Sequence, residues 1–219
     1  MNRAKRISEL QYLENYRVLF ANLDEVQDLK TELADYGYDD AKIAEGKALF
    51  DHTQQLYNQN QQETAEEKEA YARFSDAFDV LKKTYSKHRK IAKVALMKKP
   101  ELWKTLALDG SLSAAYLKAM QEIKTFYEQA QSHSEAQPLL EKFKINKAAV
   151  DAQIAQIQQV ETLRAAYEKE KGESQDATQQ KNKAFATLSD WVREFYTVAQ
   201  IALDDRPQLL ESIGKFVRS

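Results

Sequence analysis

The sequence predicts an all-α chain of two tandem, internally duplicated antiparallel helical bundles, each with three long helices and one short helix. Three observations carry that prediction. Punctuating residues are scarce: 5 Gly and 3 Pro in 219 residues, with 43% hydrophobic and 30% charged side chains, a balance that suits long uninterrupted helices. Apolar residues recur at three- and four-residue steps along most of the chain. The chain also matches itself without a gap at an offset of 107 residues, which places Pro100 on Pro207.

That offset sets "IAKVALMKKPELWKTL", from Ile91, against "VAQIALDDRPQLLESI", from Val198. It pairs Phe78 with Phe185, Leu81 with Leu188, Ala92 with Ala199, Leu96 with Leu203 and Leu102 with Leu209. Further back it pairs Ile43 with Val150, Leu33 with Leu140 and Leu10 with Leu117. Two unrelated helical segments share a period by default, but they do not share its breaks.

Residues 5–33 predict a first helix, with Leu10, Leu13, Tyr16, Phe20, Leu23 and Val26 on one face. "YGYDD" breaks it: Gly37 suits a left-handed cap and Asp39 can accept from the free N–H groups of the next helix. The matching "FKIN" keeps an Asn cap but has Lys144 in place of glycine, which leaves open whether the two breaks share one geometry. A second helix is predicted over about 40–62 and a third over about 65–98. The polar stretches "NQNQQETAEEKE" and "KEKGESQDATQQKN" then read as solvated hairpin tips, with a turn at Gly172.

The third helix carries a heptad seam of Phe74, Phe78, Leu81, Tyr85, His88, Ala92 and Ala95, matched by Lys181, Phe185, Leu188, Val192, Phe195, Ala199 and Ala202. Proline stops each long helix and suits the first turn of the short one that follows. Gly110 with Ser111 or Ser113 predicts a stop and a start, and hence a division into bundles 1–109 and 110–219.

The chemistry that is missing points away from an enzyme. There is no Cys, so thiolate catalysis and cysteine-ligated zinc are excluded. The three His residues, His52, His88 and His133, form neither a Glu-x-x-His nor a His-x-x-x-His pattern, so no metal is expected. Scattered glycines give no phosphate-cradling loop, and no cofactor is expected. No secretory signal and no spanning segment are visible, so the expected setting is soluble and cytoplasmic.

Two places remain as candidates. Net charge is −2, yet Lys82 to Lys104 holds nine Lys or Arg against the single Glu101, and the matching segment carries Asp190, Glu194, Asp204, Asp205 and Glu211. This basic stripe predicts an interaction face of Lys87, Arg89, Lys90 and Lys93 with Trp103 near its end, for a protein partner or a second copy of the chain. An anionic polymer such as nucleic acid, or a membrane surface, is the less favoured occupant. His88 stands where the other repeat has Phe195, so an interior small-ligand pocket of Tyr85, His88 and His52 is the alternative.

Overall fold

The structure of the chain, a computed structural model, describes residues 7–214. Among these residues there are eight α-helices and no strand: α1 Glu9–Glu25, α2 Gln27–Ala34, α3 Asp40–Ala95, α4 Glu101–Thr105, α5 Tyr116–Ser132, α6 Gln137–Glu141, α7 Lys147–Ala202 and α8 Pro207–Ser212. No helix among them is long and apolar enough to cross a membrane.

Two expectations of local structure are corrected. The helix expected over 5–33 starts, among the described residues, behind a Ser8 cap whose Oγ accepts from the Gln11 N–H at 3.2 Å, and it is interrupted at Val26. Val26 is extended (φ −96°, ψ 100°), and this kink turns Leu29 and Leu33 onto the same core as Leu19 and Leu23, all four fully buried. Residues 5 and 6 of that helix lie outside the described residues.

The second correction concerns the hairpin tips. Each is continuous helix: α3 and α7 run 56 residues apiece, so one helix stands where two were expected in each half. The reason is composition. Gln, Glu, Lys and Ala are strong helix formers, neither stretch holds a proline, and a single Gly172 costs about 1 kcal/mol without ending a helix.

The element bounds recur at the offset of 107 residues, with α1 9–25 matching α5 116–132 and α3 40–95 matching α7 147–202. The irregular backbone recurs with them. His133, 107 residues after Val26, is also extended (φ −76°, ψ 112°). Gly37 and Lys144 both have positive φ, 86° and 66°, as do Ala107 and Gly214, 52° and 85°. The caps match as well, since Asp39 accepts from the Lys42 N–H at 2.9 Å and Asn146 from the Ala149 N–H at 3.0 Å. The geometry that Lys144 left open is therefore the same at both breaks.

Packing divides the chain into a unit of residues 1–64 with 173–219 and a unit of residues 65–172; the expected division near residue 110 falls inside the second. In the first unit, the start of α3 lies antiparallel to the end of α7. Asn60 donates to the Thr178 hydroxyl at 2.9 Å, Tyr57 meets Phe185 edge-on, and a Cβ on Gly46 would stand 2.4 Å from the Trp191 ring. Trp191 stacks on Phe195 and touches Phe20 and Tyr38, with Leu19, Leu23, Leu29 and Leu33 beside them in the core.

In the second unit the end of α3 lies against the start of α7. Tyr71 meets Tyr167 at 5.3 Å, at the positions that match Thr178 and Asn60. Phe74 packs edge-on against Tyr116 at 5.4 Å, where the first unit has an ion pair instead: Lys181 Nζ reaches both carboxylate oxygens of Glu9, at 2.7 and 2.8 Å. Tyr85, Phe126, Tyr127, Leu96, Leu106 and Leu108 are fully buried in this unit's core.

Candidate functional site

The basic residues lie on the last eight turns or so of α3, in the second unit, and the core phase of that helix decides which of them reach solvent. Leu81, Tyr85, Ala92 and Leu96 point inward. Three and four residues out of phase with them, Val80, Lys83, Lys87, Lys90, Val94 and Met97 share the outer face, all exposed, with Lys98 next to Met97.

The residues that sequence reasoning singled out separate into three roles. Arg89 works within the fold. One guanidinium nitrogen donates to the carbonyls of Leu108, Asp109 and Gly110, at 2.8, 3.0 and 2.7 Å, satisfying backbone groups that the turn after α4 leaves without helical partners. In the first unit the matching Tyr196 does the same work, its hydroxyl donating to the Ile213 carbonyl at 2.6 Å. Lys93 lies along the protein, its ammonium 5.2 Å from the centre of the Trp103 ring, and Trp103 itself is half-buried with its Nε1 enclosed. Lys87 and Lys90 are exposed and make no ion pair among the described residues.

Sequence reasoning missed Val80, Lys83, Val94, Met97 and Lys98. The signal was present: the heptad seam fixes the buried phase, and these residues fill the opposite one. Exposure of the three apolar side chains is 54%, 58% and 68%. Lys83 and Lys98 also lack acidic partners among the described residues, whereas the flanking Lys82 and Lys99 pair with Asp79, at 2.7 Å, and Glu135. A shallow cleft of about 210 Å³ runs beside the stripe, between Ser86, Arg89, Lys90, Lys93 and Leu112.

The interior candidates are differently placed. His88 Nδ1 shares a hydrogen bond of 3.0 Å with the Tyr127 hydroxyl, and the two rings meet edge-on. Burial, and then the charge of Lys87, hold His88 below its ordinary value of 6.5, so it is neutral at neutral pH. Burial pushes the Tyr127 hydroxyl well above the ordinary phenol range. Tyr85 is fully enclosed by protein. His52 belongs to the first unit, exposed at a groove of about 240 Å³ with Thr53, Leu56 and Lys183, and shares no cavity with the other two. No His joins a metal-ligating cluster among the described residues.

The face of α7 that matches the basic stripe is acidic. Lys83, Lys87 and Lys98 correspond to Asp190, Glu194 and Asp205, while Val94 corresponds to Ile201, 61% exposed. Asp190 pairs with Arg193 at 2.9 Å; Glu194, Asp204 and Asp205 have no ion pair among the described residues. Burial, and then the nearby Glu194 charge, push the Tyr38 hydroxyl up to about 12.

Comparison with known proteins gives no match to any family model, curated protein or solved structure.

Proposed function

We propose that this chain is a non-enzymatic interaction module, built from a duplicated helical unit, whose working surface is the outer face of α3 between Val80 and Lys98. One observation carries this reading. Four lysines, Lys83, Lys87, Lys90 and Lys98, are held in solvent without acidic partners among the described residues, and they alternate at helical spacing with the exposed Val80, Val94 and Met97. A merely solvated face has no use for three exposed aliphatic side chains. A helix face that docks on another protein needs both, since apolar contact supplies affinity and charge sets orientation.

Duplication is supported by the recurrence of helix bounds, kinks, positive-φ residues and caps at one offset. It matters for function because the two copies differ in charge at equivalent exposed positions while keeping the framework.

The polyanion reading uses the same lysines but draws less support. Its stacking residues are committed elsewhere, Tyr85 to the core and Trp103 to contact with Lys93. The small-ligand reading at Tyr85 and His88 is weakened by Tyr127, which already occupies the polar handle of His88.

The test is lysine reactivity. With an amine-acylating reagent, Lys83, Lys87, Lys90 and Lys98 should label several-fold less in intact cells than in dilute purified protein. The exposed Lys118 and Lys144 should label equally in both. Equal labelling at all six positions contradicts the reading. Protection that nuclease treatment removes would move the assignment to nucleic acid.

A further inference from the structure

We infer that the partner of the basic α3 face is a second copy of this chain, which docks through the matching acidic face of α7. The inference rests on the proposed interaction role of α3 and names what occupies it. Its ground is the correspondence between the two faces. At three exposed positions of the repeat the sign inverts: Lys83 against Asp190, Lys87 against Glu194, Lys98 against Asp205. At a fourth, both faces keep an exposed branched aliphatic residue, Val94 at 58% and Ile201 at 61%.

Divergence of a solvated surface scatters charge. Here the charge separates by sign in register, with the apolar contact point retained. The two faces belong to helices with matching bounds, so the spacing between charges along one face equals the spacing along the other. Two α-helices that meet antiparallel or parallel along such faces bring ammonium and carboxylate groups together around an apolar centre, as coiled-coil flanking positions do. Within one chain neither face is neutralised. Lys83, Lys87 and Lys98 on one, and Glu194 and Asp205 on the other, have no ion pair among the described residues.

The apolar contribution is small, so association is weak and depends on charge. It should be strongest at low ionic strength and should fade in about 1 M salt, where screening acts over about 3 Å.

Sedimentation equilibrium of the full chain, from micromolar to millimolar concentration, tests this with two variants. One carries Lys83→Glu, Lys87→Glu and Lys98→Glu; the other carries Asp190→Lys, Glu194→Lys and Asp205→Lys. All six sites are exposed, and circular dichroism confirms that each variant folds. The wild-type mass should rise with concentration at low salt. Each variant alone presents two faces of like sign, and its association constant should fall by about tenfold or more. An equimolar mixture of the two should associate again, because each supplies the face the other lacks. A wild-type chain that stays monomeric over the whole range overturns the inference. So does association that survives either triple reversal, or a mixture that fails to recover it. If the chain is monomeric yet Lys83, Lys87, Lys90 and Lys98 are protected in cells, the interaction face stands and its partner is another protein. If protection is absent too, both readings fall.

Discussion

Lys144 and Ala107 hold side chains at backbone positions where the other repeat has glycine. Their φ values, 66° and 52°, match those of Gly37 and Gly214 in sign and region. A Cβ in the left-handed region costs about 1–2 kcal/mol, partly offset by the unfolded-state freedom that glycine adds. Lys144→Gly and Ala107→Gly should each raise stability by about 1 kcal/mol. Gly37→Ala should lower it by a similar amount for backbone reasons alone, because nothing lies within 4 Å of its would-be Cβ. Urea-unfolding midpoints check all three.

His88 and Tyr127 make a second residue-scale case. Their counterparts in the first unit are Phe195 and Phe20, both in the aromatic core. His88→Phe alone leaves the enclosed Tyr127 hydroxyl without its partner, which costs about 1–3 kcal/mol. Adding Tyr127→Phe recreates the apolar pair and should recover most of that loss, so the double-mutant cycle should show strong coupling. The pH dependence has a definite sign. His88 is held below 6.5 in the folded chain, so the unfolded chain takes up this proton first as pH falls. Its contribution is intact above 6.5 and is lost progressively below it. The wild type should therefore lose more stability than the double variant between neutral pH and about pH 5.

At the scale of elements, the continuity of α3 is open to a direct test. Ala65 is exposed and mid-helix, so Ala65→Pro should cost about 3 kcal/mol or more by removing a helical hydrogen bond and clashing with the preceding turn. At a hairpin tip the same change would be nearly neutral. Arg89 gives a test of a different kind. Its substitution by Ala strands three carbonyls and should destabilise the fold measurably, whereas Lys87→Ala, two residues away, should not.

Elements also show what was legible in the sequence. The helix stops at Pro100 and Pro207 and the caps at Asp39 and Asn146 are written in residue types that act locally, and each could be read without the fold. The kinks at Val26 and His133 could not, because neither residue is a breaker; burial of Leu29 and Leu33 creates the first of them. The tips around residues 62–65 and 172 were misread because polarity was taken for a loop, although Gln, Glu and Lys favour helix. For the site, the charge of the stripe was legible, but its division was not. Arg89 leaves the face because carbonyls distant in sequence claim it, and Lys93 because Trp103 lies within reach.

For the whole molecule, a net charge of −2 conceals two faces of opposite sign on one repeated framework. That framework assigns the equivalences on which the functional argument depends. It requires the start of α3 to pack on the end of α7, as Asn60 does on Thr178, and the end of α3 on the start of α7, as Tyr71 does on Tyr167. The chain has no native Cys, so the pairing can be read by disulfide formation. Under mild oxidation Asn60→Cys with Thr178→Cys should cross-link within one chain. Asn60→Cys with Glu67→Cys should not, since seven residues along a helix separate the two by about 10 Å, beyond disulfide reach. Cross-linking of 60 to 67 in place of 60 to 178 would mean that α3 folds back on itself, and would contradict the account.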